Sequence, residues 1–298
     1  MNHRIKGMLL TLWGGICWGL SGSVGQYLFT KENMDSRWLV PIRLGIAGVL
    51  LLIYCARRYG KLVLAPWTNR QDARDLVLYG LAGVSACQFL YFLTIQLSTA
   101  GMATILQDLS PILILLYTCF TAKRLPRANE ILSIALALLG VFLLTTHGSL
   151  TELMLPLSAL ITGCLSAVCV TIYNVTPQNL MRRYPVLLMQ GWAFIMGSIV
   201  IGCIFRPWTY HYIPTATGCL GIAFVVLIGN VMAFPCYIEG VRLIGPDKGI
   251  LYGFSEPITA AVISTFVLGS SFTLYDAAGF LCIFIMLVLI SVGSRKQP

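Results

Sequence analysis

Apolar residues fill ten stretches of the chain, and short polar connections separate them. The stretches cover residues 8–29, 38–55, 76–97, 100–121, 131–146, 153–175, 187–205, 218–238, 249–268 and 272–292. Most of them reach the roughly 20 residues that a helix needs to cross a bilayer, although 38–55 and 131–146 are short. The pattern therefore predicts an all-α polytopic membrane protein with ten transmembrane helices.

The composition supports a lipid environment. Of the 298 residues, 57% are hydrophobic and only 10% are charged, whereas a soluble domain carries about 25% charged residues. The ten cysteines lie in or beside apolar stretches, and none belongs to a Cys-x-x-Cys pair. We interpret them as small buried side chains rather than as disulfides or metal ligands.

Lysine and arginine gather in alternate connections between the apolar stretches. With the N-terminus in the cytoplasm, the inner connections carry 16 of these residues and the outer connections carry Lys31, Arg37 and Arg206. This bias follows the positive-inside rule, so it predicts a plasma membrane protein with cytoplasmic N- and C-termini. It also accounts for the net charge of +9 without a nucleic-acid partner.

The two halves of the chain repeat each other with an offset of 146 to 147 residues. The aligned pairs are Trp18 with Leu165, Arg43 with Gln190, Tyr91 with Tyr237 and Pro111 with Pro257. Because each half holds five helices, the second half must enter the membrane from the opposite side. We predict two inverted five-helix repeats, 8–146 and 153–292, with a substrate site near the midplane between them.

Each repeat contains one apolar stretch in which a carboxylate shortly precedes a proline. These segments are 107–111, with Asp108 and Pro111, and 253–257, with Glu256 and Pro257. A proline inside a helix has no N–H to donate and clashes with the carbonyl four residues earlier. We therefore predict hinges at Pro111 and Pro257, and a free carbonyl oxygen at Gln107.

Three charged side chains lie at membrane depth. From the helix rise, Arg43 lies roughly 8 Å, Asp108 roughly 12 Å and Glu256 roughly 11 Å from the nearer helix end. An isolated charge there costs about 2.5–3.5 kcal/mol or more, so each needs a partner or water. Two interpretations stay open: an internal salt bridge between Arg43 and Asp108, or a ligand site. A structural role is also open for Glu256.

The repeat alignment suggests what the site binds. Asp108 aligns with Phe254, so one wall would offer a carboxylate and the other an aromatic ring, a pair that suits an organic amine. The Gln107 carbonyl would be a second acceptor, and Arg43 could hold a substrate carboxylate. Candidate aromatic lining residues, for which core packing is the alternative, are Trp18, Tyr91 and Tyr252. A proton on the empty Asp108 is a candidate coupling ion.

The ordered motifs resemble the drug/metabolite transporter superfamily, specifically the EamA-type ten-helix carriers. They are Leu12-Trp13-Gly14 through Trp18-Gly19, Arg43, Leu109-Ser110-Pro111, Leu138-Leu139-Gly140-Val141, Ser255-Glu256-Pro257-Ile258-Thr259-Ala260, Leu268-Gly269 and Ala278-Gly279-Phe280. The resemblance covers nearly the full chain and implies a small-molecule carrier, often an exporter of amino acids or related metabolites. The family usually has a glutamate at the ends of the fourth and ninth helices, where this chain has Ala122-Lys123 and Gly269-Ser270.

The leading hypothesis is a secondary transporter that exports amino acids or related amines and zwitterions by alternating access, as a monomer or homodimer. A P-loop motif is absent from the sequence, so protons or the substrate gradient would supply the energy. The alternatives are a small-molecule importer, a flippase for a lipid-linked headgroup and, least favoured, a membrane enzyme. The sequence contains no Gly-x-Ser-x-Gly, His-x-x-x-His or Cys-x-x-Cys motif, and His3, His147 and His211 lie outside the apolar stretches, which leaves no buried histidine as a general base. We therefore predict no catalytic residue, metal or cofactor.

Overall fold

The computed structural model describes residues 3–149, 154–176 and 178–294, and every regular element within these ranges is helical. The α-helices are α1 (His3–Thr30), α2 (Ser36–Tyr59), α3 (Ala65–Thr68), α4 (Arg70–Val77), α5 (Ala86–Leu97), α6 (Ala100–Gln107), α7 (Ser110–Thr121), α8 (Ala128–Thr146), α9 (Leu157–Val175), α10 (Gln178–Arg183), α11 (Val186–Phe205), α12 (Ala216–Phe224), α13 (Ala233–Ile244), α14 (Pro246–Gly253), α15 (Ser255–Phe266) and α16 (Leu274–Ser294). Short 3₁₀ helices cover Gly60–Leu64 and Pro207–Thr209. The prediction of an all-α membrane protein is confirmed.

Nine helical spans in the described part of the chain are long and apolar enough to cross a membrane. The predicted stretch 249–268, which is divided between α14 and α15, is not among them. The count of ten therefore stays a prediction. The helices that contain stretches 38–55 and 131–146 are longer than the stretches themselves, because polar residues continue them. α2 runs to Tyr59, and α8 begins at Ala128.

Two π-helical segments occur at equivalent places in the two halves. Leu78–Ser85 joins α4 to α5, and Val225–Met232 joins α12 to α13, so the second segment begins 147 residues after the first. The spacing equals the predicted repeat offset. Because π-helical turns interrupt the regular i→i+4 bonding, they change the orientation of the side chains and carbonyls that follow. Such turns often occur at functional sites.

Small residues allow the helices to pack closely. α1 packs against α13 and α15, α2 against α11, and α8 against α16. At the α8–α16 contact, a Cβ built on Gly140 would lie 3.1 Å from the Gly279 carbonyl oxygen. Such contacts replace the hydrophobic driving force that a bilayer lacks. Large apolar side chains such as Phe120 (84% exposed) and Leu138 (68% exposed) lie on the outer surface of the bundle, as expected for a surface in contact with lipid.

Polar clusters tie the halves together at both ends of the bundle. We call the end where α1 stops the outer end, because the charge pattern places it outside. There, the hydroxyls of Thr215 and Thr217 donate to Glu32 at 2.5 and 2.6 Å. These hydrogen bonds hold the pKa of Glu32 below its usual range. At the inner end, Asp72 accepts from Arg183 at 3.1 Å and from the Tyr184 hydroxyl at 2.8 Å.

The first helices of the two halves begin at different ends. Gly7 of α1 packs against Leu243 and Ile244, near the end of α13. Pro156, which precedes α9, instead lines a cavity with Ser98 and Thr99 at the outer end. This placement is what inverted repeats require, and the half-turn relation itself stays a prediction.

Candidate functional site

Both predicted breaks are present, but each lies before its proline. α6 ends at Gln107, and α7 begins at Ser110 with Pro111 in its first turn. α14 ends at Gly253, and α15 begins at Ser255, also with a proline in its first turn. At a helix start the missing N–H is one that would be unbonded anyway, so proline is favoured there. Each stretch is thus two helices joined by a turn rather than one bent helix.

Asp108 occupies the first of these turns. It caps α6 with φ −69° and ψ 2°, and its side chain is partly exposed. Its Oδ2 atom is buried and has no hydrogen-bond partner in the described part of the protein. The carboxylate is close enough to Glu256, Tyr91 and Tyr237 to interact with them electrostatically. An unpartnered buried carboxylate oxygen requires an explanation, and a ligand would provide one.

Glu256 lies in the first turn of α15, near Asp108. Its Oε1 accepts from the Tyr91 hydroxyl at 3.5 Å, a long hydrogen bond that joins the two repeats. Two glycines of α1 give these groups space: a Cβ on Gly22 would lie 2.7 Å from the Tyr91 hydroxyl, and one on Gly19 would lie 2.5 Å from the Glu256 carbonyl oxygen. The α1 glycines therefore provide both close packing and room for the site.

Arg43 is 1% exposed and binds neutral groups. Its guanidinium donates to Asn230 Oδ1 at 3.1 Å and to Gln88 Oε1, and it lies 3.6 Å from the centre of the Phe92 ring. Its Nε has no partner among the described residues. Arg43 and Asp108, both described, form no salt bridge, so the structure does not contain the internal pair that the sequence left open.

Trp18 lies at the contact between α1 and the second π segment. Its indole N–H donates to the Gly229 carbonyl at 3.0 Å, and its ring lies 4.9 Å from that of Tyr237. Gly229 immediately precedes Asn230, the partner of Arg43. Two successive residues of this π segment, Gly229 and Asn230, therefore accept hydrogen bonds from Trp18 and Arg43 in the interior.

The other predicted site residues have different surroundings. Phe254 is 5% exposed and packs in an apolar cluster, with its ring 5.0 Å from that of Phe284 in α16. The structure thus shows this ring packed within the apolar cluster, and its contact with a substrate stays a prediction. Gln107 accepts from the Cys87 thiol at 3.4 Å, and Tyr252 is partly exposed.

Sequence reasoning missed Gln88, Asn230 and Phe92. Gln88 and Asn230 could have been noticed as amide side chains inside apolar stretches, where polar groups are costly and usually paired. Phe92 carried no such signal. Among the described residues, no group of three or more histidines, cysteines or acids could hold a metal ion.

Comparison with known proteins agrees with this architecture. The model of the EamA-like transporter family matches residues 5–146 and 157–292. The chain is 33% identical to the uncharacterized inner membrane transporter YicL of Salmonella typhimurium, over 100% of this chain and 99% of the relative. It is 23% identical to the uncharacterized inner membrane transporter YedA of Escherichia coli K12, over 97% and 94% of the two chains. A solved structure described only as a crystal structure of protein has the same fold, with TM-score 0.65, 17% identity and coverage of 98% and 99%.

Proposed function

Because the chain belongs to the EamA-like transporter family and is a multi-pass transporter of the inner membrane, we propose that it is a secondary carrier that exports amino acids or related amines and zwitterions by alternating access. The two family matches, 5–146 and 157–292, would be the two inverted repeats. The substrate site would lie between them, where Asp108 of the first repeat approaches Glu256 of the second.

The observation that carries this proposal is the unpartnered Oδ2 of Asp108. Burying a polar group without a hydrogen bond is costly, and burying a charge without a partner is costlier. A substrate ammonium would supply both the donor and the opposite charge. The Gln107 carbonyl, which Pro111 cannot bond, would offer a second acceptor.

Arg43 would serve the other end of a zwitterion. Its hydrogen-bond partners, Gln88 and Asn230, are uncharged, so its positive charge has no counter-charge within salt-bridge distance among the described residues. Its unbonded Nε is a free donor. A substrate carboxylate would satisfy both once alternating access opens the interior, since guanidinium binds carboxylates with charge-assisted hydrogen bonds.

The coupling ion in this proposal is a proton. A proton on Asp108 would neutralise the empty site, and its release when an ammonium ion binds gives a minimal antiport cycle. Glu256 adds a second carboxyl group nearby, whose oxygens would offer a cation further hydrogen-bond acceptors.

The variant Asp108→Asn tests the proposal, because it keeps the shape of the side chain and removes the charge. We expect it to abolish flux of amine substrates in proteoliposomes and to flatten the pH dependence of transport. Asp75→Asn, an acid-to-amide change in α4, is the matched control and should transport normally. Full transport by Asp108→Asn would show that the site lies elsewhere. Loading substrate inside or outside the vesicles distinguishes export from import.

A further inference from the structure

A separate cavity of about 390 Å³ opens at the outer end of the bundle. The ends of α8 and α15 and the beginnings of α6 and α16 surround it. None of the central residues Arg43, Asp108, Tyr91 or Glu256 lines it. Its volume lies within the range of about 300–1,000 Å³ typical of small-molecule sites.

The wall of this outer cavity offers hydrogen-bond acceptors and aromatic rings. Asp276 is 5% exposed and accepts from the Thr273 N–H at 2.7 Å, from the Thr273 hydroxyl at 2.8 Å and from His147 Nε2 at 3.1 Å when that nitrogen carries the hydrogen. A carboxylate has about four acceptor positions, so one remains. Phe272 and Phe280 add two rings, 5.7 Å apart and edge to face.

The charge of the lining selects the ligand class. Among the described lining residues, Asp276 is the one carboxylate, and lysine and arginine are absent. An anion would find no permanent counter-charge there. An organic ammonium would find a carboxylate, hydroxyl oxygens of residues such as Ser98 and Ser271, and ring faces for a cation–π contact.

Gln26 of α1 lies between this cavity and the central site. It is 3% exposed; it accepts from the Ala100 N–H at 2.8 Å and from the Ser264 hydroxyl at 2.7 Å, and it donates to Ser270 at 2.9 Å. Ser264 and Ser270 also line the outer cavity. Gly22, which lies one helical turn before Gln26 on the same face of α1, contacts Tyr91 beside Glu256. Gln26, which bonds two residues of the cavity wall, thus lies one turn, about 6 Å along the helix, from the Gly22–Tyr91 contact beside the central site.

We propose that the outer cavity is a second binding station for an organic ammonium substrate, and that Gln26 closes the passage between this station and the Asp108–Glu256 site. The inference rests on the proposed amine specificity of the carrier. In an exporter the station receives the substrate after it leaves Asp108. Opening the passage requires the three hydrogen bonds of Gln26 to break together, because they join α1 to both α6 and α15.

Equilibrium binding of radiolabelled 2-phenylethylamine to the purified full chain tests the station. We expect two bound molecules per wild-type chain and one per Ser271→Trp chain, because the exposed Ser271 can take an indole into the cavity without losing a buried contact. Thr209→Trp places the same ring on an exposed hydroxyl residue at the outer end, outside the cavity, and should still bind two. Two molecules bound to Ser271→Trp would overturn the inference.

Two further variants separate this inference from the proposed function. Asp276→Asn should lower the affinity of the outer station about tenfold or more, the loss expected for one charge-assisted hydrogen bond, and leave the central molecule bound. Gln26→Ala should speed release of the central molecule. If the wild type binds one molecule, which Asp108→Asn removes and Asp276→Asn does not, the station is absent and the central site stands. If Asp108→Asn loses neither binding nor flux, the proposed function fails.

Discussion

At the scale of single residues, Arg43 shows how a charge is accommodated inside the protein without an opposite charge. Its guanidinium lies over the Phe92 ring and donates to two amide oxygens, those of Gln88 and Asn230. The ring face and the amide dipoles are oriented toward the cation, and together they partly replace the water that it has lost. Asp108 donates or accepts no hydrogen bond in this arrangement, so we predict that Arg43 and Asp108 contribute to stability independently.

A double-mutant cycle tests that independence. Arg43→Gln should lower thermal stability, because it removes a buried cation and leaves Asn230 or Gln88 without a donor, at a cost of about 1–3 kcal/mol. Asp108→Asn should change stability little. The double variant should show the sum of the two effects, within about 0.5 kcal/mol, as expected for side chains that share no hydrogen bond. The measurement is the unfolding midpoint in detergent. Recovery of stability in the double variant would instead reveal a structural Arg43–Asp108 pair.

At the scale of elements, each of the two broken helices consists of two half-helices joined by a short turn. α6 and α7 are joined by the turn at Asp108 and Leu109, and α14 and α15 by the turn at Phe254. Leu109 accepts from the N–H groups of Ile112 and Leu113, at 3.0 and 3.3 Å, which starts α7 without help from α6. Each half-helix is therefore bonded within itself, and the turn between the halves can serve as a hinge.

Pro111→Ala tests the first hinge. Alanine removes the proline ring and adds an N–H, so the turn at Asp108 and Leu109 can become helical, with the Gln107 carbonyl accepting from residue 111. α6 and α7 should then join into one straighter helix. We expect a lower maximal flux with little change in substrate affinity, measured by proteoliposome transport and by equilibrium binding. Pro41→Ala, which changes a proline inside the unbroken α2, is the control. An unchanged flux in folded Pro111→Ala protein would contradict a hinge at this place.

At the scale of the whole molecule, polar clusters join the two halves at both ends of the bundle. Glu32 holds Thr215 and Thr217 at the outer end, and Asp72 holds Arg183 and Tyr184 at the inner end. Since α1 begins at the inner end and α9 begins at the outer end, the halves run in opposite directions through the bundle. A half-turn about an axis in the membrane plane should therefore superpose them.

Sided labelling tests the orientation of the bundle. An epitope inserted after Gly60 should be reached by antibody only in permeabilised cells, because this connection is rich in arginine and lysine. An epitope inserted after His211 should be reached in intact cells. Labelling of the Gly60 epitope from outside would place the termini outside the cell. The outer cavity would then open to the cytoplasm.

The sequence by itself determined the membrane class, the approximate helix positions and both break points, because apolar length, charge bias and proline chemistry are local properties of the chain. It also singled out Arg43, Asp108 and Glu256, because charges at membrane depth are costly wherever they occur. The partners of these groups were decided only by tertiary structure. Arg43 and Asn230 are 187 residues apart, and which side chains meet depends on how each helix is rotated and packed. The same packing, rather than the repeat alignment, places Phe254 against Phe284 and creates the outer cavity from four helix ends.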